Sequence, residues 1–454
     1  MKSLLLIALT CLACVEVNPE PQFAKARQLI EASTGRSEVF DPASPRLGSE
    51  ELASLLADGL SLEEAMRLAL VHNRELQAEF QEIGIANADW VQAQLYANPT
   101  LDVLLRFPSD GGRSMLEGIL SLDLLDLWRV PKRTEIARHE LEATVLRIAF
   151  QASERLAETR QAYFGAVAAE ELLQVAEENV ELATRWLEAM QSLREAGAGD
   201  AYDESLARGP WLSAQLRQQA LAVEAARAKR ELAKALSLGQ NIDQLELSDP
   251  LPIQSVPSFE SETLVSIALG ARHDLKAIES SILALDSQVR LEEHQAWGEL
   301  SAGPGVERPT GRGSSLIGPS LSLSLPILDR NQAQVARRAH ELERRVQLHA
   351  NAQVLIAQDV RSSAARVNAA SRALEFYASE LLPHAQRSLE LIQASHGAGH
   401  ASLEALIDAQ ARLLEVRAAQ VRLKLEAAHA GAELKQVLGA PIPASAPERL
   451  TDPR

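Results

Sequence analysis

The chain is poor in cysteine and aromatic residues and carries no surplus of positive charge. Only Cys11 and Cys14 occur among 454 residues, which excludes a disulfide framework and a metal site built from two CxxC pairs. Aromatic residues make up 4% and hydrophobic residues 46%, so the core must consist mainly of Ala and Leu, which favours helices. The formal net charge of −17 argues against a nucleic-acid partner, because phosphate binding requires a basic surface.

The sequence also lacks a hydrophobic run of about 20 residues, the length that a membrane-spanning helix needs. The apolar segment near its start follows Lys2 and is shorter, which predicts an export signal over residues 1–13. The segment CLAC resembles a bacterial lipobox, with the small Ala13 directly before Cys14. We therefore expect a lipid anchor on Cys14. The alternative is a plain signal peptide with incidental cysteines.

Several landmarks recur in the same order about 200 residues apart. ALVHNRELQA at 69–78 matches ALGARHDLKA at 268–277, LSLDLL at 120 matches LSLSLP at 321, and the GAG triplets lie at 197–199 and 397–399. This predicts two tandem repeats. The expected organisation is an N-terminal segment 14–58, repeat 1 over 59–247, a proline-rich linker 248–258, repeat 2 over 259–440 and a tail 441–454.

Each repeat shows the same succession of patterns: an amphipathic helix, an out-and-back pair of strands, a very long helix and a return helix. In the first strand Leu101, Val103 and Leu105 alternate with Asp102 and Arg106, a period of two. The expected bounds are a hairpin at about 100–128, a long helix at about 131–196 and a return helix at about 200–238, then about 299–326, 329–395 and 400–438 in repeat 2.

The starts and stops of these elements have local chemical causes. Ser61 and Glu64 form a capping-box pattern at the start of one amphipathic helix that is expected to run to Ala97. At the strand–helix junction LSLSLPILDRNQAQ, Pro326 lacks a ladder donor and Asp329 is expected to cap the next helix. Pro383 is expected to kink the second long helix. Pro210 is expected to interrupt the first return helix.

Two hairpins with one apolar and one polar face cannot form a closed barrel alone, because four strands leave two open edges. In a membrane, closure must come from several chains. Known membrane barrels start at about eight strands, so a dimer is the minimum and a trimer gives twelve. The alternative is that the hairpins are soluble and pack on the helices.

Three separate stretches carry a family resemblance that covers roughly residues 59–440. LSLEEAMRLALVHNRELQA, LSLPILDRNQAQ and GAGHASLEALIDAQARLLEVRAAQ, in this order, resemble the TolC-type outer-membrane efflux proteins. LPILDRNQ most resembles their heavy-metal, CzcC-like branch. His396 departs from the family pattern, which usually has Tyr at this position before the turn.

The resemblance implies a mainly α fold with a membrane β-barrel part: a trimeric twelve-stranded barrel in the outer membrane, continued by a periplasmic α-helical barrel. It implies a passive conduit rather than an enzyme, without a cofactor. The implied partners are two further copies of the chain, outer-membrane lipid, a periplasmic adaptor and an inner-membrane pump, for which the RND type is the first candidate. The rival hypothesis is a lipid-anchored periplasmic coiled-coil rod without a pore.

The candidate site residues lie at the two GAG turns, formed by Gly197, Gly199, Gly397 and Gly399. Glu404 and Asp408 are spaced i, i+4 on the helix after the second turn, and Asp203 and Glu204 occupy similar positions after the first. The family places acidic rings near this tip, which predicts a cation-selective periplasmic aperture. The alternative is that these are ordinary first-turn acids that favour a helix N-terminus. His396 and His400 lack a third ligand, so no metal site is predicted there.

Overall fold

The structure is a computed structural model that describes residues 16–44, 48, 52, 56, 59–107, 109, 111, 114–239, 245–252, 260–309 and 314–441. The expected export signal at 1–13, the candidate lipidation residue Cys14 and residues 442–454 of the tail lie outside the described residues. Among the described helices, none combines the length and the apolar character needed to cross a membrane.

The described helices and strands follow one order in both repeats, after a leading helix α1 (Glu20–Thr34). Repeat 1 contains α2 (Leu62–Val71), α3 (Arg74–Ala93), β1 (Thr100–Arg106), β2 (Met115–Asp123), α4 (Asp126–Glu195) and α5 (Ala201–Ala235). Repeat 2 contains α6 (Ser261–Ala271), α7 (His273–His294), β3 (Leu300–Pro309), β4 (Leu316–Leu323), α8 (Gln332–Phe376), a π-helical turn (Tyr377–Leu381), α9 (Leu382–Gly397) and α10 (Leu403–Leu438).

The first amphipathic stretch of each repeat is two helices, so the prediction of one continuous helix is wrong. Between α2 and α3, the Asn73 carboxamide oxygen accepts hydrogen bonds from the backbone N–H groups of Glu75 and Leu76, at 2.9 and 3.0 Å. Asn73 thus caps a new helix. In repeat 2 the break falls at Arg272, which has an extended backbone. The predicted capping box of Ser61 and Glu64 is confirmed at the start of α2.

One of the two prolines inside predicted helices, Pro210, behaves differently from the expectation, whereas the kink expected at Pro383 stays a prediction. Helix α5 runs through Pro210 without interruption, so that prediction is wrong. The neighbouring Trp211 donates a hydrogen bond from Nε1 to Thr184 Oγ1 of α4, at 3.1 Å, and this packing helps to offset the cost of the missing N–H. Near Pro383 the helix carries the π turn Tyr377–Leu381, whose wider spacing accommodates the proline ring.

The chain forms two compact units, each assembled from parts of both repeats. The first unit comprises Met1–Ala26, Glu79–Ile148 and His273–Gln353, and the second comprises Arg27–Ala78, Ala149–Arg272 and Val354–Arg454. The strands of both hairpins belong to the first unit. The helical turns with the candidate aperture residues belong to the second.

In the first unit, the two hairpins join into one antiparallel sheet of order β1-β2-β3-β4. The strands β2 and β3, which come from different repeats, pair over Met115–Asp123 and Ser301–Pro309. The edges of this sheet are therefore β1 and β4. The sheet is open, which agrees with the prediction that four strands leave two unpaired edges.

The core of the second unit consists mainly of small and branched apolar side chains from the long helices. Tyr163 of α4 is fully buried and ties the start of repeat 1 to the segment after it. Its hydroxyl donates to the carbonyl oxygen of Leu60 at 2.9 Å and accepts from the backbone N–H of Asp249 at 3.1 Å. Leu60 also forms a parallel bridge with Leu247.

Candidate membrane and aperture surfaces

The pairing register places most apolar side chains of the four strands on one face of the sheet. Leu101 lies opposite Leu120 in the first hairpin, and Ala302 lies opposite Leu321 in the second. Because side chains alternate along a strand, each strand contributes every second residue to this apolar face. The face comprises Leu101, Val103, Leu105, Leu116, Gly118, Leu120, Leu122, Leu300, Ala302, Pro304, Val306, Ile317, Pro319, Leu321 and Leu323, with one charged residue, Arg308, opposite Leu116 near the hairpin turns.

The apolar face is largely uncovered in the single chain. Val103 is 63% exposed, Leu321 68% and Ile317 77%. A continuous apolar surface of this kind on a folded chain indicates a membrane or a protein partner. Since most backbone groups of the inner strands β2 and β3 are paired within the sheet, this face can lie against lipid.

The opposite face carries most of the hydroxyl and charged side chains, together with Leu104, Ile119 and Leu316. The Thr100 and Ser121 hydroxyl groups lie 2.7 Å apart across the first hairpin. Arg106 Nη2 and Glu117 Oε2 form an ion pair at 3.0 Å on the same pair of strands. Such groups require water or polar partners, so this face suits a water-filled lumen.

The centre of the sheet contains a close backbone approach that no pattern in the sequence predicts. A side chain at Gly303 of β3 would overlap the carbonyl group of Leu120 in β2. The following residue, Pro304, has no backbone N–H to donate. The glycine therefore allows β2 and β3 to come together where the regular ladder is interrupted.

The strand–helix junction is longer than predicted, and Asp329 does not cap the following helix. Strand β4 ends at Leu323, before Pro326, and α8 begins only at Gln332. Asp329 Oδ1 accepts from the backbone N–H of Asn331 at 2.8 Å, which is a local turn. Asn331 has a φ of 59°, and its side-chain amide donates to the Glu292 carbonyl oxygen at 2.8 Å and to its carboxylate at 2.7 Å. Because α8 begins at Gln332, Asn331 and not Asp329 is the residue directly before the helix, and the carbonyl oxygen of Asn331 accepts from the backbone N–H of Val335 at 3.0 Å.

At the first GAG turn, two candidate aperture acids have different surroundings. Asp200 caps α5 by accepting hydrogen bonds from the backbone N–H groups of Tyr202 and Asp203. Glu204 forms an ion pair with Arg194 of α4, while Asp203 is partly buried. Gly197 has a φ of 72°, a conformation that favours glycine.

At the second GAG turn, both candidate acids are exposed. Ser402 caps α10 by accepting from the backbone N–H of Ala405 at 3.2 Å. Glu404 and Asp408 follow on the exposed side of α10 and form no ion pair with any described residue. Here it is Gly399 that takes the positive φ, 76°, whereas Gly397 ends α9. The two turns therefore place the left-handed glycine at different positions.

His396 lies in a packed cluster at the second turn. Its Nδ1 lies 2.8 Å from the Ala401 carbonyl oxygen, and its ring packs edge-on against Trp186 of α4 with 6.4 Å between ring centroids. Trp186 in turn donates from Nε1 to Gln410 Oε1 of α10, at 2.9 Å. These contacts show how this turn is held with histidine in place of tyrosine. Among the described residues no group of three His, Cys, Asp or Glu side chains could hold a metal ion.

Comparison with known proteins identifies the fold and the family. The chain is 22% identical to the cobalt-zinc-cadmium resistance protein CzcC of Cupriavidus metallidurans, over 92% of this chain and 96% of that protein. Its fold matches the CmeC outer membrane channel of Campylobacter jejuni with a TM-score of 0.71 and 16% identity, over 90% of this chain and 91% of that one. The open state of the MtrE outer membrane channel of Neisseria gonorrhoeae matches with a TM-score of 0.68 and 19% identity, over 84% of this chain and 89% of that one. The family model for outer membrane efflux proteins matches residues 65–238 and 264–440. The chain belongs to the outer membrane efflux protein family.

Proposed function

We propose that three copies of this chain close one twelve-stranded barrel in the outer membrane and act there as a single passive conduit. As a family member, the chain is the outer-membrane channel component of a tripartite efflux system. The observation that carries the trimer is the open four-stranded sheet with one exposed apolar face. Its edges β1 and β4 need partners before the sheet can face lipid.

The strand count favours a trimer over a dimer. Membrane barrels start at about eight strands, and eight-stranded barrels are filled by their own side chains. Twelve strands from three chains leave an open lumen, which a conduit needs. In this arrangement β4 of one copy pairs with β1 of the next, and the face with Thr100, Ser121 and Glu117 lines the lumen.

The proposed cargo is a divalent metal ion. The relative from Cupriavidus metallidurans is named for cobalt, zinc and cadmium resistance. The exposed Glu404 and Asp408 on α10 supply carboxylates, which attract such ions. Three copies of this pair around one axis would bring six carboxylates to the periplasmic aperture.

The proposed partners are a periplasmic adaptor and an inner-membrane pump of the RND type, which supplies the energy. The chain itself contributes passage only, and we propose that it performs no enzymatic reaction. A lipid on Cys14 would add an anchor in the outer membrane. The alternative function, a pore-free periplasmic rod, has no use for the exposed apolar face of the sheet.

The test combines oligomeric mass with conductance in a planar bilayer. Purified detergent-solubilised protein is expected to have the mass of a trimer, and its reconstitution is expected to give discrete cation-conducting steps. A monodisperse monomer with full β content would overturn the trimer. A trimer without conductance, even with the aperture acids replaced by Ala, would favour the rod.

A further inference from the structure

Three basic side chains converge on one pocket in the second unit, away from the GAG turns. The pocket has a volume of about 410 Å³. Arg36 lies after α1, Arg160 lies on α4, and Lys435 lies near the end of α10. Apolar wall is supplied by Met66 and Phe164, together with prolines and with small residues of α10.

Two of the three cations have no carboxylate partner among the described residues. Arg36 is satisfied by a two-point ion pair with Glu63, with distances of 2.7 and 2.6 Å. Arg160 donates from Nη2 to the sulfur of Met66, at 3.1 Å, and a thioether is a weak acceptor. Lys435 forms neither an ion pair nor a side-chain hydrogen bond within the described part of the chain.

The acidic groups near the pocket, Asp249 and Glu63, offset part of its positive charge without pairing directly with Arg160 or Lys435 among the described residues. The Asp249 carboxylate lines the pocket and keeps its negative charge when its Oδ2 accepts from the backbone N–H of Leu62 at 2.7 Å, but in the part of the chain that the structure describes it forms no ion pair with Arg160 or Lys435. Burial lowers the pKa of Arg160, as does the charge of Arg36, against the opposing effect of Glu63. Burial and the charge of Arg160 also lower the pKa of Lys435. Lys435 is nonetheless an exposed residue and Arg160 is half-buried, so the two cations repel each other but water screens part of that repulsion.

We propose that this pocket is an anion-binding site, in which Arg160 and Lys435 hold a phosphate or carboxylate group of a small organic molecule. The guanidinium group offers a planar fork of donors that matches either oxyanion, and the ammonium adds a point charge. The wall of Met66 and Phe164 contacts the apolar part of the ligand. An anion there removes the repulsion between the two cations and stabilises the second unit.

The test is isothermal titration calorimetry on the full, detergent-solubilised chain. Glucose 6-phosphate and citrate are titrated separately, at an ionic strength matched with sodium chloride. Saturable binding of either one is expected. Lys435→Gln should raise the dissociation constant at least about tenfold, which corresponds to the loss of one charge-assisted hydrogen bond. A response to the phosphate ester alone identifies a phosphate ligand, and a response to citrate alone identifies a carboxylate.

Lys234→Gln is the matched control, because Lys234 is an exposed lysine of the same unit outside the pocket. It should bind as the unmodified protein does. Arg160→Gln is the second variant, and if it fails to fold, Lys435→Gln decides alone. The proposal is overturned by the absence of saturable binding, or by equal affinity in the Lys435 and Lys234 variants. Because binding is read by heat, the result does not depend on conductance or on the trimer.

Discussion

Arg194 and Glu204 form an ion pair across the turn between α4 and α5, with 2.5 Å between Nη1 and Oε2. The Glu204 side chain is only 13% exposed, so its charge is locally balanced. Glu404 and Asp408 are exposed and lack such a partner among the described residues. The acids that look equivalent in the two repeats are therefore not equivalent in the structure.

This difference predicts which acids control cation passage. Replacing Glu404 and Asp408 by Ala should lower cation selectivity and weaken block by divalent cations, because up to six carboxylates are removed per proposed trimer. Reversal potentials and block are measured in planar bilayers. The control is the double variant Arg194→Ala/Glu204→Ala, which removes an ion pair without a change in net charge and should leave selectivity as it is. Equal effects in the two variants would leave Glu404 and Asp408 with a helix-capping role only.

The two faces of β4 should respond in opposite ways to a charge. Leu321→Arg places a guanidinium on the apolar face and should destabilise the membrane-inserted protein by about 2–4 kcal/mol if it lies near the bilayer centre. Ser322→Arg, one residue along on the polar face, should insert nearly as the unmodified protein does. The measurement is the amount of folded protein recovered in the outer membrane. Similar recovery of both variants would argue against a lipid-facing apolar surface.

Gly303 should tolerate no side chain. Gly303→Ala brings a methyl group against the Leu120 carbonyl, so the sheet must shift, and the expected destabilisation is about 1–3 kcal/mol. Gly318→Ala on β4 is the control, since nothing lies within 4 Å of a side chain built there. Thermal denaturation followed by circular dichroism should show a lower midpoint for the Gly303 variant alone. Equal midpoints would mean that β2 and β3 do not approach as closely as the structure shows.

Stability should fall on mild acidification because of His429. Burial lowers the pKa of this histidine below its ordinary 6.5, against the opposing effect of the hydrogen bond to the Gln161 carbonyl. As the pH falls, the unfolded chain therefore binds the proton at a higher pH than the folded chain does. The contribution of neutral His429 to the free energy of unfolding is complete above pH 6.5 and is lost as pH falls through the lowered folded-state pKa.

His429→Gln should reduce the difference in Tm between pH 7.5 and pH 5. Part of the difference should remain, since burial also lowers the pKa of His72. His400→Gln, which changes an exposed histidine at the second turn, serves as the control. If the difference in Tm between the two pH values were as large in the His429 variant as in the unmodified protein, His429 would not be its cause.

Cys14 lies outside the described residues, and its lipidation remains a prediction from the segment CLAC. Cys14→Ala should abolish labelling with a radioactive or clickable fatty acid, whereas Cys11→Ala should not. Mass spectrometry of the mature N-terminus gives the independent measurement. An unmodified N-terminus in the purified membrane protein would rule the anchor out.

The sequence by itself determined the features that depend on local patterns. The tandem repeat, the order of the elements and the two faces of each strand follow from residue spacing, as does the capping box of Ser61 and Glu64. A period of two or of 3.6 residues is set by backbone geometry, and it holds whatever the neighbours are. The family resemblance rests on the same stretches, and the family match confirms it.

Only the tertiary structure decided which segments meet. The pairing of β2 with β3, the need for glycine at position 303 and the ion pair of Arg194 with Glu204 depend on contacts with other segments. The same holds for the uninterrupted helix at Pro210, where packing outweighs local preference. Arg160 and Lys435 stand 275 positions apart in the sequence, yet they line one pocket. No local pattern links such residues, because a common pocket, and the closeness of two like charges in it, exist only after the helices have packed.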